Sequence, residues 1–324
     1  MANKKMMPIS DADLGTTPII SMNEEQATRW FRDLGYSLGD FGGHAWKVSS
    51  LTKSGRGIWM PINEVQPLSP REIGRPKLDA LAYWAVVDNP DEVQSMMPFI
   101  FFDHVKNYDA SRVSEKHRRL VRLALNRFEY VQLESPDLLL NQGWDVSSRA
   151  AAQSGASLEP DRERFEANLR KRFTADPQLI VAARSGGNLA GYMCAHVIDG
   201  TAHVTRIMLN PEFRKQQVGS GLYWATLRHL GKSLNVHRVN VGLSYPDVFG
   251  VELFKYAMGA TIVDLPVRSW ALPPLAWRLR RTNPWAYVRI GGHDQRVRAA
   301  AEVEFESKFG PIPRSRMSTS ATRT

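Results

Sequence analysis

The chain has 324 residues, 43% hydrophobic and 23% charged, with a formal net charge of +9. That length suits one large domain or two ordinary ones, and that composition is of an ordinary globular chain. The basic excess fits anionic partners, or nothing more than frequent arginine. A single cysteine, Cys194, excludes an intramolecular disulfide and argues against a cysteine zinc site; in its apolar stretch it reads as a small buried side chain. No run approaches about 18 apolar residues, and no apolar segment comes after the N-terminal lysines. These absences predict a cytoplasmic protein with no membrane partner and no metal.

Residues 1–20 read as a flexible leader. Asn23 caps a helix running through Glu24, Trp30, Phe31 and Leu34 and stopping near Gly35. From Gly39 to Gly57, glycines supply turns around a strand at residues 45–51. Residues 58–62 and 81–87 read as further strands, and Pro61, Pro67, Pro70 and Pro76 make the stretch between them a loop. Residues 99–105 form a strand or a buried turn. Residues 114–126 are a helix made basic by Lys116, Arg118, Arg119 and Arg122, with Leu120, Leu123 and Leu125 inside.

The most informative stretch lies further on. An apolar strand at residues 204–209 leads into Gln216-Gln217-Val218-Gly219-Ser220-Gly221, and a helix-length apolar run occupies residues 222–230. A glycine turn opening a helix leaves backbone N–H groups unpaired at the positive end of the dipole, which suits a pyrophosphate. Side chains at Gly219 or Gly221 would hold phosphates away from those amides. Gly-x-Gly alone is ordinary turn chemistry. The lysine-serine/threonine of a P-loop and the third glycine of a Rossmann turn are both missing.

The stretch from Ile207 to Leu222, with Asn210-Pro211-Glu212-Phe213-Arg214 ahead of the glycines, resembles the acetyl-CoA-binding motif of the GCN5-related N-acetyltransferases. That pattern is an apolar strand, x-Pro-x-aromatic-Arg, then Arg/Gln-x-x-Gly-x-Gly/Ala. The resemblance implies an α/β fold, a mixed central sheet flanked by helices. It orders residues 130–133 as its first strand and 135–152 (broken near Gly143) and 160–173 as its first two helices. Next comes a hairpin, 179–183 and 190–198, turning across Ser185-Gly186-Gly187-Asn188. The fourth strand is 203–209, the fifth 238–243, and a helix at 247–258 closes on Gly259. Residues 261–265 and 267–272 finish the sheet. Beyond it lie a basic aromatic segment, 277–290, a helix, 293–309, and a tail expected to be disordered.

By the same resemblance, Met208 and Leu209 offer backbone groups to pantetheine, and the fourth and fifth strands splay to admit it. Amides of Gln217, Val218, Gly219, Ser220 and Gly221, after Gln216, hold the pyrophosphate. Arg214 and Lys215 are placed to meet the nucleotide phosphates, and a main-chain N–H near Leu209 holds the oxyanion. Where many relatives carry a strand glutamate as base, this strand has His203, which titrates near neutrality but reads more readily as a surface or core histidine. Glu212 and Asp199 are weaker candidates. The family's acid, a tyrosine four residues before a glycine, falls on Lys255, with Tyr256 one residue along.

The chain thus divides into a leader (1–20), an N-terminal α+β domain (21–127), the acyltransferase domain (128–275), a basic segment with a helix (276–310) and a tail (311–324). The N-terminal domain has no second glycine loop. Together with the acyltransferase domain it is similar to the two-domain Fem-type aminoacyltransferases, and a degenerate copy of the same fold is one reading of it. The expected function is acetyl transfer from acetyl-CoA to an amine, the basic charge allowing an anionic acceptor. An aminoacyl-tRNA-dependent transferase, or a non-catalytic protein binding CoA or nucleic acid, are the alternatives.

Overall fold

The computed structural model describes residues 14, 19–50, 57–71, 73, 80–89, 95–154, 161–174, 178–244, 249–290 and 295–315. The leader apart from 14 and 19–20, and the tail from 316 on, lie outside the described residues. Two compact units interleave along the sequence. One holds residues 1–22, 102–240 and 257–259; the other holds 23–101, 241–256 and 260–324.

The strands are β1 (Ser21–Met22), β2 (Leu38–Phe41), β3 (His44–Ser50), β4 (Gly57–Pro61), β5 (Ala82–Val86), β6 (Ser95–Asp103) and β7 (Glu129–Gln132). Then come β8 (Leu179–Ser185), β9 (Asn188–Ile198), β10 (Thr201–Leu209), β11 (Arg238–Leu243) and β12 (Thr261–Ala271). The helices are α1 (Glu24–Asp33), α2 (Glu115–Leu125), α3 (Asp137–Ser154), α4 (Arg162–Thr174) and α5 (Val218–Lys232). They continue with α6 (Phe249–Ala257), α7 (Pro273–Thr282), α8 (Pro284–Arg289) and α9 (Gln295–Phe309). The α/β class and the mixed sheet flanked by helices are as expected.

In the first unit the strand order is β11-β10-β9-β8-β7, with β1 pairing parallel to β9. The β10–β11 pair is parallel and the others are antiparallel. Gly186 and Gly187, at φ 55° and 83°, close the β8–β9 hairpin, where the left-handed backbone needs glycine. One face of the sheet packs on α3 and α4 through Leu139, Val146, Phe165, Leu169, Tyr192 and Met208. The expected break of α3 at Gly143 is absent. A side chain there would press on Leu139 Cβ and Phe165 Cζ, each 3.2 Å away, so the glycine serves close helix packing and not a kink.

In the second unit the order is β2-β3-β4-β5-β12-β6. Asn23 and Gln26 form the reciprocal cap of α1. The two strands expected at 261–265 and 267–272 are one, β12. Pro266, which has no N–H to give, sits where pairing passes from β6 (Thr261 to Val267) to β5 (Val267 to Ala271). The neighbour that β12 gains is β6, supplied by the N-terminal part of the chain. β2 escapes sequence reading because Gly39 sits inside it; a Cβ there would lie 2.9 Å from the Trp59 ring. Residues 311–315, expected in a disordered tail, lie on β12: Ser315 N–H donates to Ile262 O, and Arg314 pairs with Asp264 at 2.7 Å.

Candidate functional site

The site grows from β10. Its pairing with β11 runs from Thr201 to His203 only, opposite Arg238 to Asn240. From Val204 to Leu209 no strand pairs with that edge among the described residues, while β9 continues to cover the other. A bulge at Thr205, between Val204 and Arg206, marks the change. The Asn210 N–H donates to Ala190 O on β9. By strand alternation Met208 also faces β9, and the backbone groups of Ile207 and Leu209 face the open edge. Ile207 and Leu209, and not Met208, therefore present backbone groups to the open edge; sequence reading passes over Ile207 because alternation cannot be phased across an unseen bulge. Met208 is 7% exposed and belongs to the core.

After Leu209 the chain makes a tight 3-10 turn (Pro211–Gln216) and enters α5 through Gln217, whose φ of 66° is left-handed. Three of the expected cradle amides are used internally. Gln217 N–H donates to Arg214 O, Ser220 N–H to Gln217 O at 2.9 Å, and Gly221 N–H to the same oxygen at 3.4 Å. Val218 and Gly219 remain as the N–H groups of this first turn with no backbone acceptor among the described residues. Ser220 Oγ, in a residue 2% exposed, also has no partner there. Arg214 and Lys215 are exposed beside the turn, and Gln216 and Gln217 are half-buried.

The two glycines do different work. A Cβ on Gly219 would meet one atom, Leu209 Cδ1 at 3.0 Å. One on Gly221 would strike the Tyr130 ring and hydroxyl and come within 2.9 Å of Ala124 Cβ. Gly221 thus lets β7 and α2 reach α5, and only Gly219 keeps space clear at the helix start. Tyr130 Oη donates to Val218 O at 3.4 Å, bracing the turn from behind. Burial drives its hydroxyl pKa far above the ordinary value, so it stays a donor.

His203 is 6% exposed and stacks on His196 with ring centroids 5.4 Å apart. The Asn240 amide nitrogen lies 3.4 Å from its Nδ1. An amide nitrogen can only donate, so Nδ1 accepts and the neutral ring carries its proton on Nε2. His203 also lies on the paired side of the bulge. Glu212 is exposed and bound to Arg149 at 2.5 Å, and Asp199 is a left-handed turn residue at φ 47°.

Tyr256 and Lys255 belong to the second unit, in a buried polar cluster whose centre sequence reading misses. Glu252 is 1% exposed and accepts from Ser244 Oγ and Tyr256 Oη, both at 3.1 Å, with Lys255 Nζ at 3.5 Å. Burial first, and Glu252 second, raise the Tyr256 pKa well above its ordinary value. The signal that could have found it is the i, i+3, i+4 spacing of Glu252, Lys255 and Tyr256 on one helix. Tyr256→Phe removes one of the carboxylate's donors and is expected to cost about 1–2 kcal/mol, read as a lowered urea midpoint at unchanged slope. An unchanged midpoint would mean that the hydroxyl is not needed there.

No described helix is long and apolar enough to cross a membrane, and no group of three metal-ligating side chains is found among the described residues. Residues 146–258 match the family model "Acetyltransferase (GNAT) family". No curated protein matches the chain. Two solved structures share its fold over most of its length. One is L-PGS from Bacillus licheniformis (13% identity, 85% of this chain and 99% of that one, TM-score 0.53). The other is FemX (10% identity, 80% and 98%, TM-score 0.52). Both likenesses are of fold, and they agree with the two-part similarity read from the sequence. Over residues 146–258 the chain carries a domain of the GNAT acyltransferase family.

Proposed function

We propose that the protein transfers an acetyl group from acetyl-CoA to an amine. The observation that carries this is the union of an unpaired strand edge, Val204 to Leu209, with a helix start whose Val218 and Gly219 amides are unengaged. The edge suits the amides of a pantetheine chain, which would add to β10 as a strand does. The helix start suits a pyrophosphate, and Ser220 Oγ is a buried hydroxyl with capacity to spare. Arg214 and Lys215 lie where further phosphates would be met. The Leu209 N–H, facing the open edge, is the donor proposed for the oxyanion formed when the amine adds to the thioester carbonyl. The carbonyl then reforms as the thiolate leaves.

Tyr256 is proposed as an acid on the family resemblance alone; its hydroxyl donates to Glu252, and burial raises its pKa above the ordinary value. His203 is a less suitable base than its position in the sequence suggests, because Nδ1 already accepts from Asn240. His203→Gln is expected to leave kcat/KM within about threefold across pH 6–9, whereas loss of a true base costs about 100-fold or more. A loss of that size, confined to the pH range where imidazole is neutral, would restore the histidine to the mechanism.

An aminoacyl-tRNA-dependent transferase is the second reading, favoured by the whole-length likeness to the FemX fold. It leaves the Val218–Gly219 amides without a purpose. The readings separate in one assay: release of free thiol from acetyl-CoA over a panel of primary amines. Amine-dependent release supports the proposal. Binding of acetyl-CoA with no release across the panel would leave a CoA-binding protein and no acetyltransferase.

A further inference from the structure

Between Asp264 and Asp294 the sequence holds no acidic residue, five arginines (Arg268, Arg278, Arg280, Arg281, Arg289) and three tryptophans. No chemistry proposed above uses this segment. In the structure it forms β12's end, α7 and α8, and α7 buries none of its residues. A helix packed only to hold a core would not leave its aromatic residue outside. Trp277 is 60% exposed, and the Arg281 guanidinium lies over its ring, 4.3 Å from the centroid. Ala276, Trp277, Arg280, Arg281 and Tyr287 line a shallow open cleft, which brings together an indole, a phenol and two guanidinium groups.

We propose that α7 docks this protein onto anionic lipid bilayers, with phospholipid headgroup phosphates as the chemical group received in the cleft. Three observations favour a bilayer over other anionic surfaces. First, an exposed indole with guanidinium groups beside it is the pairing that suits the headgroup level, where an apolar ring and phosphates lie together. Second, α7 interleaves Leu275 and Leu279, half-buried, with the exposed arginines, as a helix lying in an interface does. Third, one face of the Trp277 ring is already covered by Arg281, whereas stacking of nucleic-acid bases draws on open ring faces. The charge is complementary as well: the segment carries five arginines and no acid, and Arg278, Arg280 and Arg281 of α7 are exposed. This is attachment to a surface, not passage through it, and it stands apart from the acetyl-transfer reading.

The test is co-sedimentation of the full chain with vesicles. One set contains about a third phosphatidylglycerol in phosphatidylcholine, and the other is phosphatidylcholine alone. The expected result is binding to the first set only, accompanied by a blue shift of tryptophan emission. Each arginine near the surface is worth roughly fivefold in partitioning. Arg280→Gln with Arg281→Gln should therefore weaken it by roughly 25-fold, and Trp277→Ala should abolish the blue shift. Because α7 buries no side chain, all three should keep the wild-type melting temperature and acetyl-CoA affinity. Absence of vesicle binding, or binding unchanged in these variants, would overturn the proposal. So would inorganic phosphate alone binding through Arg280 and Arg281 and displacing the protein from vesicles at constant ionic strength. Tighter, Trp277-dependent binding of single-stranded RNA would overturn it in favour of a nucleic-acid surface.

Discussion

Gly221→Val should destabilise the protein by about 3 kcal/mol or more, a large share of the roughly 5–15 kcal/mol that holds a typical domain folded. The cause is not the loss of a flexible turn, since Gly221 lies inside α5 and its φ is ordinary. Any Cβ at this position enters the volume of the Tyr130 ring and approaches Ala124 on α2. Both neighbours are buried, Tyr130 at 3% and Ala124 at 0%, so neither can swing away. Tyr130→Leu in the same chain should recover part of the loss, because it clears the ring that the new side chain strikes. Gly219→Ala is the control and should stay within about 1 kcal/mol, since its new methyl meets only the end of the Leu209 side chain. Urea denaturation of the four proteins reads the comparison. Equal midpoints for Gly221→Val and wild type would show that α5 does not pack as described.

The contrast between the two glycines shows where sequence reading reaches its limit. The order strand, turn, glycines, helix is legible because apolar runs and glycine turns leave local marks, and β7 to β11 fall where the family resemblance put them. What each glycine is for depends on Tyr130, some ninety positions away, and no local pattern carries that. The same holds for β6, which lies beside β12 though the sequence separates them widely. A partner supplied from the other end of the chain cannot be seen from propensity, so residues 261–272 read as two strands where one suffices. The interleaving of the two units is hidden for that reason too. Glu252 escapes because a carboxylate in a helix looks like a solvated face; only its 1% exposure reveals the cluster built around it.

The second large effect concerns the donor site. Gly219 opens onto unengaged amides, and a side chain there has room to point outward, its only near neighbour being Leu209 Cδ1. Gly219→Glu therefore puts a carboxylate where the pyrophosphate is proposed to lie without disturbing the core. Two like charges brought together in a partly dehydrated cradle repel, and the glutamate also fills the space the phosphates need. Affinity for acetyl-CoA should fall by at least about 100-fold, or roughly 2.7 kcal/mol, while the urea midpoint stays near that of wild type.

Isothermal titration of the wild-type and Gly219→Glu proteins with acetyl-CoA tests the central claim most directly. The structure predicts one site per chain in the wild type and a loss of at least about 100-fold in the variant at unchanged folding stability. Equal affinities in the two proteins, or no binding by the wild type at millimolar acetyl-CoA, would contradict it.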